Sequence, residues 1–397
     1  MDTASINAYI DTLEDELVKI RRDFHRHPEI LFDVIRTSGK VADLLKRWGL
    51  DVQRHVGKHF GMGVVGTLRG LKAGKTIVLR ADMDALPIQE ETNASYKSLK
   101  EGAMHACGHD AHTTMLLGAA KALSMFKDEL EGTVKFVFQP AEEGAKASPL
   151  DGRLLSGGAD LVEAGILDGV DLCFALHVWP ELPIGTIGVH PKYAMAASTH
   201  FKVAFQGVSG HHSTPHLAVD ALLMAAQFAT EMKVAMSTEI DPLEPAVLSF
   251  GTLQAGTVTN AIAEQSEITG SYRTFDHAVV DKIRQMIEKR ACAIADCYGG
   301  SCSFSFRMGT ALKNDRTAVQ LVLQAGKEVL GEEQTLLLET PSLGAKILPY
   351  TSNKRLAHSP LSAWAIPTEV LFTRFIIPNS MWMKGFCFTE RRSMCSW

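Results

Sequence analysis

Apolar residues recur at three- and four-residue spacing through residues 4–48, which predicts two helices. Pro28 is their natural interruption, because proline lacks the amide that a helix interior needs. Two short β-rich runs follow, "GMGVVGTLRG" and "TIVLRADMDALP". The second is continuously apolar before it ends in acids at Asp82 and Asp84, as expected of a strand covered on both faces. Helical spacing returns from Asp110 to about Phe126 in "DAHTTMLLGAAKALSMF". "GTVKFVFQPAEEG" and "DLCFALHVWP" then repeat the theme of strand followed by polar exit. Three buried strands each deliver Asp, Glu or His at their ends, which is how an open α/β sheet presents a site.

The pattern changes near His190. "FKVAFQGVSGHHSTPH", a helix over about 218–232, "PAVLSFGTLQAG", "SEITGSYRTFD", a helix over about 277–297 and "CSFSFRMG" give the order β-α-β-β-α-β. That order predicts a small inserted domain with a helix-backed sheet. The first domain resumes with the helical pattern "RTAVQLVLQAGKEVLG". The 397 residues are enough for two such domains, and 46% hydrophobic against 21% charged residues is the balance of a folded chain.

Charge and cysteines narrow the class. A net charge of -5 without a basic block argues against a nucleic-acid partner. The first thirty residues lack the basic segment and apolar core of a signal peptide, and no run of 18 apolar residues predicts a membrane span. Seven cysteines, an odd number scattered through a long chain, fit a reducing, cytoplasmic compartment better than a disulfide scaffold.

The densest chemistry is "HACGHDAH", residues 105–112. Thiolate and imidazole are ordinary ligands of divalent transition metals, and Gly108 lets Cys107 and His109 flank a tight turn. A thiol nucleophile with its base and a polar helix start are the alternatives. Glu142-Glu143 reads as a solvated turn or as ligand and base; His177, ending an apolar strand, reads as a satisfied core histidine or as a ligand. Asp82 and Asp84, two apart, share one side of their strand exit. Ligand-type residues at five strand ends or turns make coincidence the poorer explanation. A cysteine nucleophile would leave Glu142, Glu143 and His177 without a role.

The stretches "DFHRHPEI", "RADMDALPIQE", "MHACGHDAHT", "FQPAEEG", "LHVWP", "GHHSTPH" and "GSYRTFD" together resemble the M20 metallopeptidase superfamily. The resemblance, over residues 20–343, is to its amidohydrolase branch of hippurate hydrolases, N-acyl-amino-acid amidohydrolases and auxin-conjugate hydrolases. It implies an α/β fold of two domains, with a catalytic domain at 1–189 and 309–343 and an inserted α+β dimerisation domain at 190–308. It implies one or two divalent ions (Zn, Mn, Co or Ni) on Cys107, His109, Glu143 and His177, with Glu142 as general base and Asp84 orienting. His211 matches a histidine that steadies the tetrahedral intermediate, and Asn260, Arg273 and His216 match substrate-handling positions. The implied reaction is hydrolysis of a small N-acyl amino acid by a homodimer or higher homo-oligomer. A metallodipeptidase or carboxypeptidase, and a catalytically impaired binding remnant, are the alternative readings.

The last fifty-odd residues depart from the resemblance. From Gly344 onward there are two acids against seven Lys or Arg, and three of the five tryptophans. The family continues with "GEDF" and later "HxPxFDxDE", which carries a further histidine ligand; neither occurs in this sequence. Met381, Trp382 and Met383 each have a single codon, so with Lys384 the bases are ATG TGG ATG AAR. Read from each third base they give Val-Asp-Glu. In that phase Phe375-Ile376-Ile377-Pro378 can give His-His-Pro, Asn379-Ser380-Met381 can give Phe-Asp, and Ala345–Pro349 can give Glu-Asp-Phe-Ala. Two separated family motifs return in one alternate frame, so we read a one-base frameshift close to Gly344. His358 is the only histidine after that point.

Overall fold

A computed structural model describes residues 3–339 apart from 181. The atypical segment 344–397, with His358 and the inferred shift, lies outside the described residues. The chain forms two compact units, Met1–Val189 with Arg316–Leu337, and His190–Asp315.

The first unit is built on a five-stranded sheet of β1 (Asp51–Val56), β2 (Gly63–Arg69), β3 (Lys72–Asp82), β4 (Glu131–Gln139) and β5 (Leu172–Ala175), in the order β1-β2-β4-β3-β5. β3 is parallel to both β4 and β5, whereas β1 and β2 are antiparallel additions. Ile77, Val78 and Leu79 of β3 and Phe136, Val137 and Phe138 of β4 are all buried, so the continuous apolar runs reflect a sheet covered on both faces. Register decides where the chemistry emerges. Asp82 pairs with Gln139 and Arg80 with Ala175, so all three parallel strands finish at one level. Asp84, Glu142-Glu143 and His177 leave that level together.

Helices α1 (Thr3–Asp11), α2 (Glu14–Arg26), α3 (Ile35–Arg47) and α4 (His109–Met125) supply the apolar cover. α4 is buried along nearly its whole length, and the short α5 (Gly157–Glu163) lies between β4 and β5 in the chain. The N-terminal region breaks at Thr12-Leu13 as well as at Pro28, where two helices were expected. The amides of Thr12 and Leu13 donate to Tyr9 and Ile10, three residues back, and the Thr12 hydroxyl also donates to the Tyr9 carbonyl. Those short-range bonds end α1 without needing proline. Strands β6 (Ile187–Val189) and, later, β11 (Thr335–Leu337) pair in parallel beside α8 (Arg316–Leu330).

The second unit contains β7 (Ala197–Gln206), α6 (Ala221–Glu239), β8 (Ala246–Ala255), β9 (Gln265–Thr274), α7 (His277–Tyr298) and β10 (Ser301–Arg307). Its antiparallel sheet runs β8-β9-β7-β10, backed by both helices. Phe201, Val203 and Phe205 of β7 pack with Phe228 of α6 and with Ile287 and Ile294 of α7. The Asp220 carboxylate caps α6 by accepting the Leu222 and Leu223 amides, which sets its start. Hydrogen bonds from Gly309 to Thr199 and from Asn314 to His190 and Lys192 carry the unit on to Asp315. The result is an α/β fold with an inserted α+β unit, as the strand and helix order implies.

Candidate metal centre

The site of the first unit is assembled from three strand exits and one helix start. Gly108 precedes α4 with φ of 81°, a left-handed conformation that suits glycine. A β-carbon there would also lie 2.4 Å from Val178 Cγ2, so glycine permits the exit of β5 to approach α4 closely. Cys107 and His109 are thereby brought against His177, with Cys107 Sγ 3.4 Å from His177 Nε2.

Hydrogen bonding fixes which ring atoms face inward. His109 Nδ1 donates to the Asp84 carbonyl at 2.8 Å, leaving Nε2 3.3 Å from Glu143 Oε1 and 3.7 Å from Glu142 Oε2. His177 Nδ1 donates to the Val178 carbonyl, which turns its Nε2 toward Cys107. A carbonyl can only accept, so both imidazoles carry their proton on Nδ1 and offer Nε2.

Asp84 holds the adjacent glutamates. Its two carboxylate oxygens accept the Glu142 and Glu143 amides at 3.0 and 3.1 Å. Ala141, just before them, has φ of 44°, an uncommon conformation for a residue with a β-carbon. Its amide bonds the Leu31 carbonyl and its carbonyl accepts from Gly157, so the surrounding chain holds that strained turn in place.

Among the described residues, three overlapping sets place their ligand atoms within 4.8 Å of one another: Cys107-His109-His177, His109-Glu142-Glu143 and Asp82-His109-His112. The first two form one continuous donor set of thiol, imidazoles and carboxylates around His109. The third differs. His112 Nε2 accepts the Val178 amide at 3.0 Å, and its Nδ1 donates to Asp82 Oδ1 at 2.6 Å. Both nitrogens are committed, so His112 positions the β5 exit and is not a ligand. Asp82 is in turn bonded by Arg80 Nη1 at 2.9 Å, and its carbonyl accepts from Thr113.

The donor chemistry fits a metal. Half-buried acids crowded against a thiol and imidazoles are costly unless a cation neutralises them, and inward-facing Nε2 atoms backed by carbonyls are the usual arrangement around such an ion. The cluster is positioned for a mono- or dinuclear divalent metal of the Zn or Mn type.

A second buried network lies under the start of α4, and no role was assigned to it from sequence. Arg21 Nε and His25 Nδ1 each lie 2.8 Å from Asp110 Oδ2, while His25 Nε2 is 3.4 Å from Glu90 Oε1. Burial opposes the charge on His25, but Asp110 and Glu90 hold its pKa above the ordinary value. Burial likewise opposes ionisation of Asp110, yet Arg21 and His25 hold its carboxyl well below the usual range. Burial pushes His105 down to about 4, so it is neutral near pH 7. The signal available in sequence was only the polar residues Arg21 and His25 on the apolar stripe of α2.

The other candidates belong to the second unit. His211 and Ala261 form an isolated antiparallel bridge, and the His212 amide donates to the Asn260 carbonyl at 3.2 Å. His211, His212 and Asn260 therefore share one pair of loops and are exposed. His216 is exposed in the short turn Pro215–Leu217, and Arg273 lies within β9 opposite Ser198 and Val247. The three donor sets are all drawn from residues of the first unit.

The sheet with its exit-level donors defines a metal-dependent hydrolase of the amidohydrolase type, with a site suited to small amide or peptide substrates. The chain belongs to the peptidase family M20/M25/M40, whose model matches residues 78–363. It is 35% identical over 337 residues to thermostable carboxypeptidase 1 of Saccharolobus solfataricus, covering 84% of this chain and 82% of that protein. It is 38% identical to an N-acyl-L-amino acid amidohydrolase of Geobacillus stearothermophilus, with 78% and 80% covered. A dinuclear metal-binding M20 peptidase from Bacillus subtilis superposes with a TM-score of 0.69 at 33% identity, over 84% of each chain. Among the described residues, no helix is long and apolar enough to cross a membrane.

Proposed function

We propose that the protein hydrolyses the amide bond of N-acyl amino acids, including hippurate-like substrates, and that Cys107, His109, Glu143 and His177 hold its metal. The observation that carries this reading is the pair of adjacent carboxylates at one ring nitrogen: Glu143 Oε1 and Glu142 Oε2 lie 3.3 and 3.7 Å from His109 Nε2, so one can serve as ligand and the other as base. A divalent ion bound there supplies Lewis acidity, polarising an amide carbonyl and acidifying a water. Glu142 takes the proton of the attacking water and returns it to the leaving amine. Asp84 holds both glutamates by their amides, and His112 holds the loop that bears His177. His211 steadies charge on the substrate oxygen, Asn260 and His216 orient the substrate, and Arg273 pairs with its carboxylate. These second-unit roles rest on the resemblance of "GHHSTPH" and "GSYRTFD", as does assembly into a homodimer or higher homo-oligomer.

A second reading, removal of an amino acid from a peptide C-terminus, is favoured by the likeness to a thermostable carboxypeptidase. The experiment loads the purified protein with Zn or Mn and compares N-benzoylglycine and several N-acetyl amino acids with dipeptides and a longer peptide. Faster turnover of the N-acyl amino acids is expected. Faster turnover of the peptides would transfer the assignment to the carboxypeptidase reading, and bound metal without any hydrolysis would leave a binding remnant.

A further inference from the structure

The second unit brings into contact two thiols that carry no assigned role in hydrolysis. Cys292 lies on α7 and Cys302 on β10, with their sulfurs 3.6 Å apart. A disulfide bond measures about 2.0 Å between sulfurs, so the remaining gap is about 1.5 Å. The intervening chain is already folded back on itself. Gly299 turns with φ of 73°, and the Gly299 and Gly300 amides bond the Asp296 and Ala295 carbonyls. The two cysteines differ in access, since Cys292 is exposed and Cys302 is partly buried. A thiol pair serving only as apolar packing would place both sulfurs in the core.

We propose that Cys292 and Cys302 form a reversible dithiol–disulfide site, oxidised by a low-molecular-weight disulfide. The exposed Cys292 thiolate attacks one sulfur of that disulfide, forming a mixed disulfide and releasing one small thiol. Cys302 then attacks the Cys292 sulfur, forming the internal bond and displacing the second small thiol. Two electrons pass from the protein to the small disulfide, and the two protons lost by the protein thiols end on the two released thiols. Burial raises the Cys302 pKa and the neighbouring Cys292 sulfur adds to it, which assigns first attack to Cys292.

The bond would have a mechanical consequence. β10 is an edge strand, paired on one side to β7. Linking it to α7 fastens the exposed side of the sheet to the helix that backs it, opposing the fraying and edge-to-edge pairing to which such strands are prone.

The test incubates the full chain with oxidised glutathione, quenches it with an alkylating agent and maps the peptides by mass. The expected product is a Cys292–Cys302 peptide pair, lighter by two hydrogens and reversed by dithiothreitol. Cys302→Ser should instead stall with glutathione on Cys292. The exposed Cys297 and Cys173 report on oxidant access in the same digest. Recovery of Cys292 and Cys302 as free thiols, or as two lasting glutathione adducts, while Cys297 is oxidised would overturn the proposal. The wild-type digest decides the matter even if the serine variant does not fold.

Discussion

Asp84 accepts the amide of Glu142 at 3.0 Å, joining the exit of one strand to the proposed base on the exit of the next. The same carboxylate accepts the Glu143 amide, so one side chain sets the direction of both glutamates. Asn at position 84 would keep one acceptor and turn an NH2 group toward an amide donor. Losing a hydrogen bond to a charged acceptor costs about 1.5–3 kcal/mol. Asp84→Asn is therefore expected to lower kcat by about tenfold or more and to weaken metal retention, read by steady-state kinetics and bound-metal analysis. Unchanged values in both would remove Asp84 from the organisation of the site.

Glu142 itself should separate chemistry from binding. The Gln variant keeps the shape and the amide that Asp84 holds, but it cannot take a proton. Glu142→Gln is expected to bind metal in the wild-type ratio and to lose about 100-fold or more in kcat, with little change in KM. Near-normal turnover would assign the base to another residue.

The network under α4 makes a pH prediction. The folded pKa of His25 lies above its unfolded value of about 6.5. Its stabilising contribution is complete below about pH 6.5 and is lost as pH rises through the folded pKa, because only the protonated ring pairs with both Asp110 and Glu90. Replacing His25 by Gln should cost about 1–3 kcal/mol at pH 6, and the gap from wild type should narrow as pH rises. Urea unfolding of the two proteins across pH 5.5–9 checks this, and a gap that widens with pH would reverse the assigned charge.

The legible parts of this protein were those written in local pattern. β3 and β4 showed as apolar runs because both faces are buried, and Asp84, Glu142, Glu143 and His177 showed because each follows such a run. The break at Thr12 depends on three-residue hydrogen bonds that leave the apolar spacing intact, so periodicity passed over it. His112 was visible as a third imidazole in "HACGHDAH", but its role arises from Asp82 and Val178, residues on two other strand exits. His25 and Asp110 are 85 residues apart, and nothing in either neighbourhood marks the other as its partner. Sequence thus exposes groups that a strand end presents, while partners chosen by tertiary packing emerge only when the chain is folded.

The tail supplies the last prediction. The alternate frame after Gly344 restores motifs that, by the family resemblance, carry one more histidine ligand, whereas the printed segment offers only His358 in "LAHSP". A ligand set missing one member holds its ion less firmly, since the remaining donors cannot easily preserve the coordination geometry. Resequencing the source gene across codon 344 establishes which frame the organism carries. With both versions purified and equilibrated with Zn or Mn, the restored chain should retain more metal after dialysis and turn over N-acyl amino acids faster. Equal metal affinity together with equal turnover would show that the changed segment contributes nothing to the centre.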